Sequence, residues 1–365
     1  MNLSLFILLP NKIKKEHDLN HALFDFEKIL CYNISIKCKG EKLMVKMIEL
    51  FAGIGSQTQA LKNAGIEHES VAIAEIDRYA LQAYELLHGK TLNLGDISTI
   101  DPSSVPDCDL ITYSFPCQDL SVAGAQLGAE EGSGTRSSLL WECKKLIEAK
   151  KPRFLLMENV KNMVGTTHKA NFDKWLQYLS SLGYSNYWKV LNAVDYGAPQ
   201  SRERVFCVSI LNPAKDFEFP APTGRTMKIK DILDEKDKIP SNMYMNDRPF
   251  IFRNNVSESE NGLIHIGNLE MAGNESIKRV YSPDGVCPTL TTMTGGHRQP
   301  KIWTEEDGVR KLTPRECWRA MGFSNENFDK VEGKLSNTQL YKQAGNTICI
   351  SCLEAIFNEL FNGNY

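Results

Sequence analysis

From residue 47 onward, two hydrophobic patterns alternate along the chain. Short apolar runs at 47–51, 69–74, 110–113, 153–157, 187–193 and 205–211 have the length and composition of buried strands. Between them, residues 56–64, 78–87, 138–149 and 171–182 carry apolar positions at helical spacing. Ser56 is placed to cap the first of these helices, Gly65 to stop it, and Gly183 to stop the last. A short extended piece ends near Asp96. Strands alternating with helices predict an α/β fold built on a mostly parallel, doubly wound sheet. The polar exceptions fall where the strands stop: a glycine turn after Phe51, then Glu75, Asp96, Cys117 and Glu158. Ligands of open α/β sheets lie at the carboxyl ends of the strands, so these positions predict one site.

Beyond residue 211 the pattern breaks. Prolines and aromatics fill 213–222, and from 223 to about 309 the chain is rich in Asn, Gly, Ser and Met with little periodicity. This stretch reads as a second, smaller, irregular domain. Thr313-Pro314-Arg315-Glu316 is a capping box with proline at the first helical position, and Gly322 ends that helix. Residues 347–361 form an apolar helix expected to pack back on the sheet, with residues 343–347 as its cap. The predicted organisation is a leader at 1–43 that need not belong to the functional protein, a catalytic domain at 44–215, the second domain at 216–335, and a returning C-terminal segment at 336–365.

Composition narrows the partners. With 365 residues there is ample chain for two domains. The formal net charge of -3 excludes a global basic field, so any nucleic-acid surface must be local. Ten cysteines without regular pairing suggest reduced thiols in a cytoplasmic setting. Cys349 and Cys352 have helical spacing in an apolar run, which reads as core packing rather than metal. Residues 3–9 are apolar but too short to span a bilayer.

The motifs suggest specific chemistry. Ile48-Glu49-Leu50-Phe51-Ala52-Gly53-Ile54-Gly55-Ser56 is a strand, a glycine turn and a helix start, a place where backbone amides receive an anionic group. Glu75 follows at about the twenty-residue interval of a ribose-binding carboxylate. The third glycine of the dinucleotide fingerprint is replaced by Thr58, which favours a nucleoside cofactor lacking a pyrophosphate. Pro116 removes a backbone donor and sets Cys117 in a turn, where a thiol can act as a nucleophile. Glu158, half-buried at a strand end, is a candidate proton donor. Arg202 and Arg204 could bind phosphate or a polarised base oxygen. Asn346 and Thr347 could complete the cofactor site from the far end of the chain. Each motif has a plainer reading as turn, cap or packing; their order along one chain is what favours the functional one.

Together these residues resemble the DNA cytosine-5 methyltransferase family of bacteria and phages. The resemblance rests on Phe51-Ala52-Gly53-Ile54-Gly55, Glu75, Gly95-Asp96-Ile97, Phe115-Pro116-Cys117-Gln118, Arg136, Glu158-Asn159-Val160, residues 200–204, 310–323 and 343–347. It implies a Rossmann-like sheet that takes S-adenosylmethionine, with Phe51, Gly53, Gly55, Glu75, Ile76, Asp96, Pro116, Asn346 and Thr347 around the cofactor. It further implies that Cys117 attacks carbon 6 of a flipped-out cytosine, Glu158 protonates ring nitrogen 3, and Arg202 and Arg204 orient the base. The segment from 223 to 301 would be a target-recognition region on double-stranded DNA. Gln118, Ser121, Arg279, Thr289, Leu290, His297 and Arg298 are its expected contacts, with Lys228, Lys230, Arg248, Arg253, Lys278 and Lys301 adding local positive charge. The loop at 121–135 would close over the base. The resemblance also implies a monomer with no membrane association and no metal, and it leaves room for a cognate restriction endonuclease as companion. A tRNA methyltransferase of the same chemistry, a nicotinamide-dependent dehydrogenase and a catalytically silent DNA-binding module stay open on sequence alone.

Overall fold

Residues Val45–Tyr365 form one compact unit built on two sheets. The structure is a computed structural model and describes residues 44–116, 139–224, 227–363 and 365. The first sheet carries strands β1 (Val45–Leu50), β2 (His68–Ala74), β3 (Leu110–Tyr113), β4 (Phe154–Val160), β5 (Tyr184–Asn192) and β6 (Glu203–Leu211), in the order β2-β1-β3-β4-β6-β5. Pairs β1–β2, β1–β3 and β3–β4 are parallel, while β6 runs antiparallel to both β4 and β5. Only β6 is therefore reversed. Its reversal places the amino end of β6 beside the carboxyl end of β4.

Both sheet faces are buried, and the strand residues alternate between them as the two-residue period requires. Met47, Leu110, Phe154, Leu156, Phe206 and Val208 join one core, while Ile48, Ile111, Leu155, Met157 and Cys207 join the other. Helices α1 (Ser56–Asn63) and α2 (Arg78–His88) contribute Leu61, Ala83 and Leu87 to the first core. Helices α3 (Cys143–Lys150) and α4 (Lys169–Ser181) contribute Leu146, Phe172 and Trp175 to the second. Trp175 donates its indole N–H to the Tyr113 hydroxyl at 3.1 Å.

The segment read as poorly periodic carries a second sheet of very short strands. These are β7 (Phe250–Phe252), β8 (His265–Leu269), β9 (Arg279–Tyr281), β10 (Lys301–Thr304) and β11 (Gly308–Lys311), in the order β11-β10-β9-β8-β7. Runs of three to five residues are too short to show a period. Four helices close the chain: α5 (Pro314–Ala320), α6 (Asn325–Val331), α7 (Asn337–Asn346) and α8 (Ile350–Asn362). The α5 capping box forms as expected, with Thr313 and Glu316 exchanging bonds. Leu353, Ile356 and Phe357 of α8 share the core of Leu61 on α1, so the last helix does return to the main sheet.

Several local expectations change. Ser56 is the first residue of α1 and Gly55 its cap, with no side-chain bond. β4 does not stop at Glu158; pairing with β6 carries it to Val160. Residues 343–347 close α7 rather than cap α8, whose own cap is Cys349. α3 begins at Cys143, and residue 138 lies outside the described residues. Among the described residues, no helix is long and apolar enough to cross a membrane.

Candidate active site

The glycine turn is shaped by three left-handed residues, Phe51, Gly53 and Gly55, with φ of 58°, 58° and 76°. Phe51 lacks glycine's freedom there, so the packing around it holds a backbone that costs about 1–3 kcal/mol. A Cβ at Gly55 would lie 2.6 Å from the His88 ring, whereas one at Gly53 would meet open space. His88 Nε2 lies 3.0 Å from the Ile54 carbonyl, and burial lowers its pKa to about 4. The neutral ring therefore donates to that carbonyl and braces the turn.

Glu75, immediately after β2, faces this turn. Its two carboxylate oxygens accept the N–H groups of Gly53 at 2.8 Å and Asp77 at 2.7 Å. Burial raises its pKa against these bonds. A carboxylate has about four acceptor positions, so hydroxyl-binding capacity remains. Ile76, beside it, is 75% exposed. Asn93, which the sequence reading missed, ties the next loop to Glu75 through bonds to its N–H and carbonyl and also accepts from Gly95 N–H. Asp96 is exposed and accepts from Ser98, which lowers its pKa. Beneath the turn, Glu49 is fully buried and accepts from Thr58, Tyr84 and Ser70 hydroxyls at 2.5, 2.7 and 3.2 Å. Desolvation raises its pKa despite those bonds.

Glu158 lies along the same rim. Arg204 Nε sits 3.2 Å from its Oε1, and Ser114 adds a hydrogen bond. Burial raises the pKa of Glu158, opposed by Arg204, Arg202 and Ser114. Its neighbour Asn159 donates to the Phe115 carbonyl at 3.0 Å. Glu158 and Asn159 are thus tied to Ser114 and Phe115 respectively, the residues that lead into Pro116 and Cys117. Cys117, Gln118, Ser121, the 121–135 loop and Arg136 lie outside the described residues.

Arg202 differs from the expectation of a base-orienting arginine. Its buried guanidinium donates to the carbonyls of Leu290, Gly345 and Thr347, each at 3.0 Å. Around it, Thr289 Oγ1 donates to the Ser201 carbonyl at 2.6 Å, and Leu290 N–H to Gln200 Oε1 at 2.9 Å. Residues 200–204 thus join the main sheet to the second segment and the C-terminal helices. Leu290 is 1% exposed, so its side chain is core. Thr347 is also buried, while Asn346 is exposed. Lys342 pairs with Asp77 at 2.5 Å and Gln343 donates to the Tyr79 carbonyl at 2.9 Å, which seats the end of α7 beside the start of α2.

The expected positive surface sorts unevenly. Arg279 and Arg298 are exposed, and His297 is half-buried against Arg248. Lys230 is paired with Asp284, and Lys301 is 1% exposed, so it is not a surface charge. Cys349 and Cys352 are buried in the core, as expected.

A doubly wound sheet carrying a glycine turn, a buried carboxylate bonded to that turn and a buried acid on one rim is the frame of an α/β enzyme site. Residues 45–362 match the family model of C-5 cytosine-specific DNA methylases, and this chain belongs to that family. It is 41% identical to the type II methyltransferase M2.ScrFI of Lactococcus lactis subsp. cremoris, over 87% of this chain and 99% of that protein. It is 32% identical to the type II methyltransferase M.HhaI of Haemophilus parahaemolyticus, over 88% and 96% of the two chains. The S. pombe Dnmt2 methyltransferase shares the fold, with TM-score 0.66 at 20% identity, covering 88% of this chain and 99% of that one. The protein is a DNA cytosine-5 methyltransferase.

Proposed function

We propose that the chain takes its methyl group from S-adenosylmethionine and delivers it to carbon 5 of a cytosine flipped out of duplex DNA. The carrying observation is the buried acid Glu158, held by Arg204 and hydrogen-bonded to Ser114, three residues before Cys117 in the chain. The described residues fit the cofactor. Gly53 faces open space, Glu75 retains acceptor positions, and Ile76 and Asp96 are exposed beside it. Phe51, Gly55, Pro116, Asn346 and Thr347 complete the proposed surround. When bound, S-adenosylmethionine supplies an electrophilic sulfonium methyl group.

The protein's own work is to make carbon 5 nucleophilic. Cys117, covalently next to Pro116, adds as thiolate to carbon 6 of the ring. Glu158, whose pKa burial raises against the pull of Arg204, is the proton donor for ring nitrogen 3 in this reading. The resulting enamine is electron-rich at carbon 5 and takes the methyl group. A base then removes the carbon 5 proton, the Cys117 thiolate is expelled from carbon 6, and ring nitrogen 3 returns its proton to Glu158. Arg204 orients Glu158, and Arg202 acts as a positioning residue through the three carbonyls it holds. Extruding the base costs a few kcal/mol, which contacts to the flipped base and its strand must offset.

Residues 44–215 carry this catalysis, 216–335 read the target, and 336–365 close the fold; the two separate sheets support that division. Gln118, Ser121, Arg279, Thr289, His297 and Arg298 are the proposed DNA contacts, with Leu290 supporting from the core. The enzyme is read as a cytoplasmic monomer, a setting supported by free thiols such as Cys108, Cys143 and Cys207. A cognate restriction endonuclease as companion is supported by relatives named type II methyltransferases.

The test is Cys117→Ala, assayed by transfer of labelled methyl to duplex DNA and to tRNA. Transfer to DNA is expected in the native chain and lost in the variant, with cofactor affinity nearly unchanged. Full activity of the variant would end the mechanism, and preference for tRNA would change the substrate.

A further inference from the structure

The loop between β9 and β10 has an uncommon backbone. Met293, Gly295, Gly296 and His297 all have left-handed φ, at 50°, 78°, 63° and 56°. Two of the four are not glycine, so the conformation is strained and something must hold it. A Cβ on Gly295 would meet nothing, and one on Gly296 only the Arg298 side chain at 4.0 Å, so the 295–296 turn faces open space while Met293 anchors its start in the core. Arg298 is exposed on it.

Lys301 lies underneath, at the start of β10. Its backbone is fixed by ladders on both sides, opposite Val280 of β9 and Lys311 of β11. Its Nζ donates to the carbonyls of His297 at 2.6 Å and Gln299 at 3.1 Å, the residues flanking Arg298. Among the described residues no carboxylate pairs with it. Burial, Lys311 and Arg248 push its pKa down to about 8. Burying an ammonium without an acid is costly, and an apolar side chain would avoid that cost. What an apolar side chain cannot do is bind two carbonyls at once.

We propose that Lys301 is a positioning residue for target recognition: it clamps the carbonyls on either side of Arg298 and so fixes how that arginine meets the base pairs of a duplex. The inference rests on the reading of this chain as a sequence-specific DNA enzyme. Arginine on guanine in the major groove is the commonest base-specific contact, and its discrimination depends on a fixed bidentate approach. Lys301 touches no DNA in this scheme. It acts on specificity through the loop alone.

The test compares native protein, Arg298→Ala, Lys301→Met, Lys301→Gln and the double variant R298A/K301M. Each methylates a duplex library covering every single-base-pair change of the recognised site, and the methylated products are sequenced. Arg298→Ala is expected to relax one position by roughly tenfold or more. Lys301→Met should relax the same position by a similar factor, and the double variant should do no worse than Arg298→Ala. Lys301→Gln, one bond shorter and able to reach one carbonyl, should relax it by a smaller factor. Native discrimination in whichever lysine variant melts like the native protein overturns the clamp. Relaxation at a different position, or multiplying effects in the double variant, overturns it too. Arg298→Ala without effect at any position removes the loop as reader, and a native chain that methylates no duplex removes the functional reading itself.

Discussion

Three glutamates share the rim of the main sheet, and their surroundings give them different tasks. Glu49 is enclosed by hydroxyls, Glu75 by backbone N–H groups and Glu158 by a guanidinium. Only Glu158 has both a raised pKa and a place beside the segment leading to Cys117. Glu158→Gln keeps the shape and removes the ionisable carboxyl proton. Methyl transfer should slow by about 10²–10⁴-fold while cofactor binding holds, and unchanged turnover in a single-turnover assay would remove the acid role. The pH dependence has a definite sign. Burial raises the folded pKa of Glu158, so the native state holds its proton longer than the unfolded chain does. Its stabilising contribution is complete below the unfolded glutamate value and is lost as pH rises through the folded one. Denaturation of both proteins at about pH 4 and about pH 8 should therefore show the variant gaining relative to the native chain as pH rises. Glu75 and Glu158 were readable in the sequence because each follows a clear apolar run. The partners of Glu49 were not, since Thr58, Ser70 and Tyr84 stand 9, 21 and 35 residues away and nothing local marks them as a set.

The reversed strand β6 is the element that makes the site one object. An apolar run shows burial but not direction, so the sequence predicted the strand and could not show that its start meets the end of β4. That meeting puts Arg204 on Glu158 and sends Arg202 into the carbonyls of Leu290, Gly345 and Thr347. Residues 343–347 were misjudged as the cap of α8 because the strong apolar period of α8 dominates there, while α7 before it is mostly polar. Their importance lies in contact across the fold. A Cβ on Gly345 would lie 2.0 Å from the Thr291 carbonyl oxygen, so the last turn of α7 and the 291–292 peptide touch backbone to backbone. Gly345→Ala should cost about 1–3 kcal/mol, as overpacking does, despite the better helix propensity of alanine. Urea denaturation measures it, and a neutral or stabilising result would mean that this contact yields freely.

At the scale of the whole molecule, a net charge of -3 and a DNA substrate are reconciled by segregation. Arg248, His297 and Lys311 lie close enough at the second sheet and its loop to act on one another, with Asp247 beside them, and Arg298 is exposed on the same loop. Short strands hide this sheet from a reading of the sequence, and what composition does register is the change of character after β6 ends at Leu211. β1 begins at Val45 and the family match at residue 45. The elements that position Glu75, Glu158 and the 293–299 loop all lie after that point. A protein beginning at Met44 should therefore melt within about one or two degrees of the full chain, the shift that a change of about 1 kcal/mol produces in a chain of this length. It should also methylate duplex DNA at the same rate. Thermal denaturation and initial-rate assays on the two proteins check this together. A shortened protein that melts normally yet methylates slowly would place a working part of the enzyme ahead of Met44, and a lowered melting point would place a structural part there.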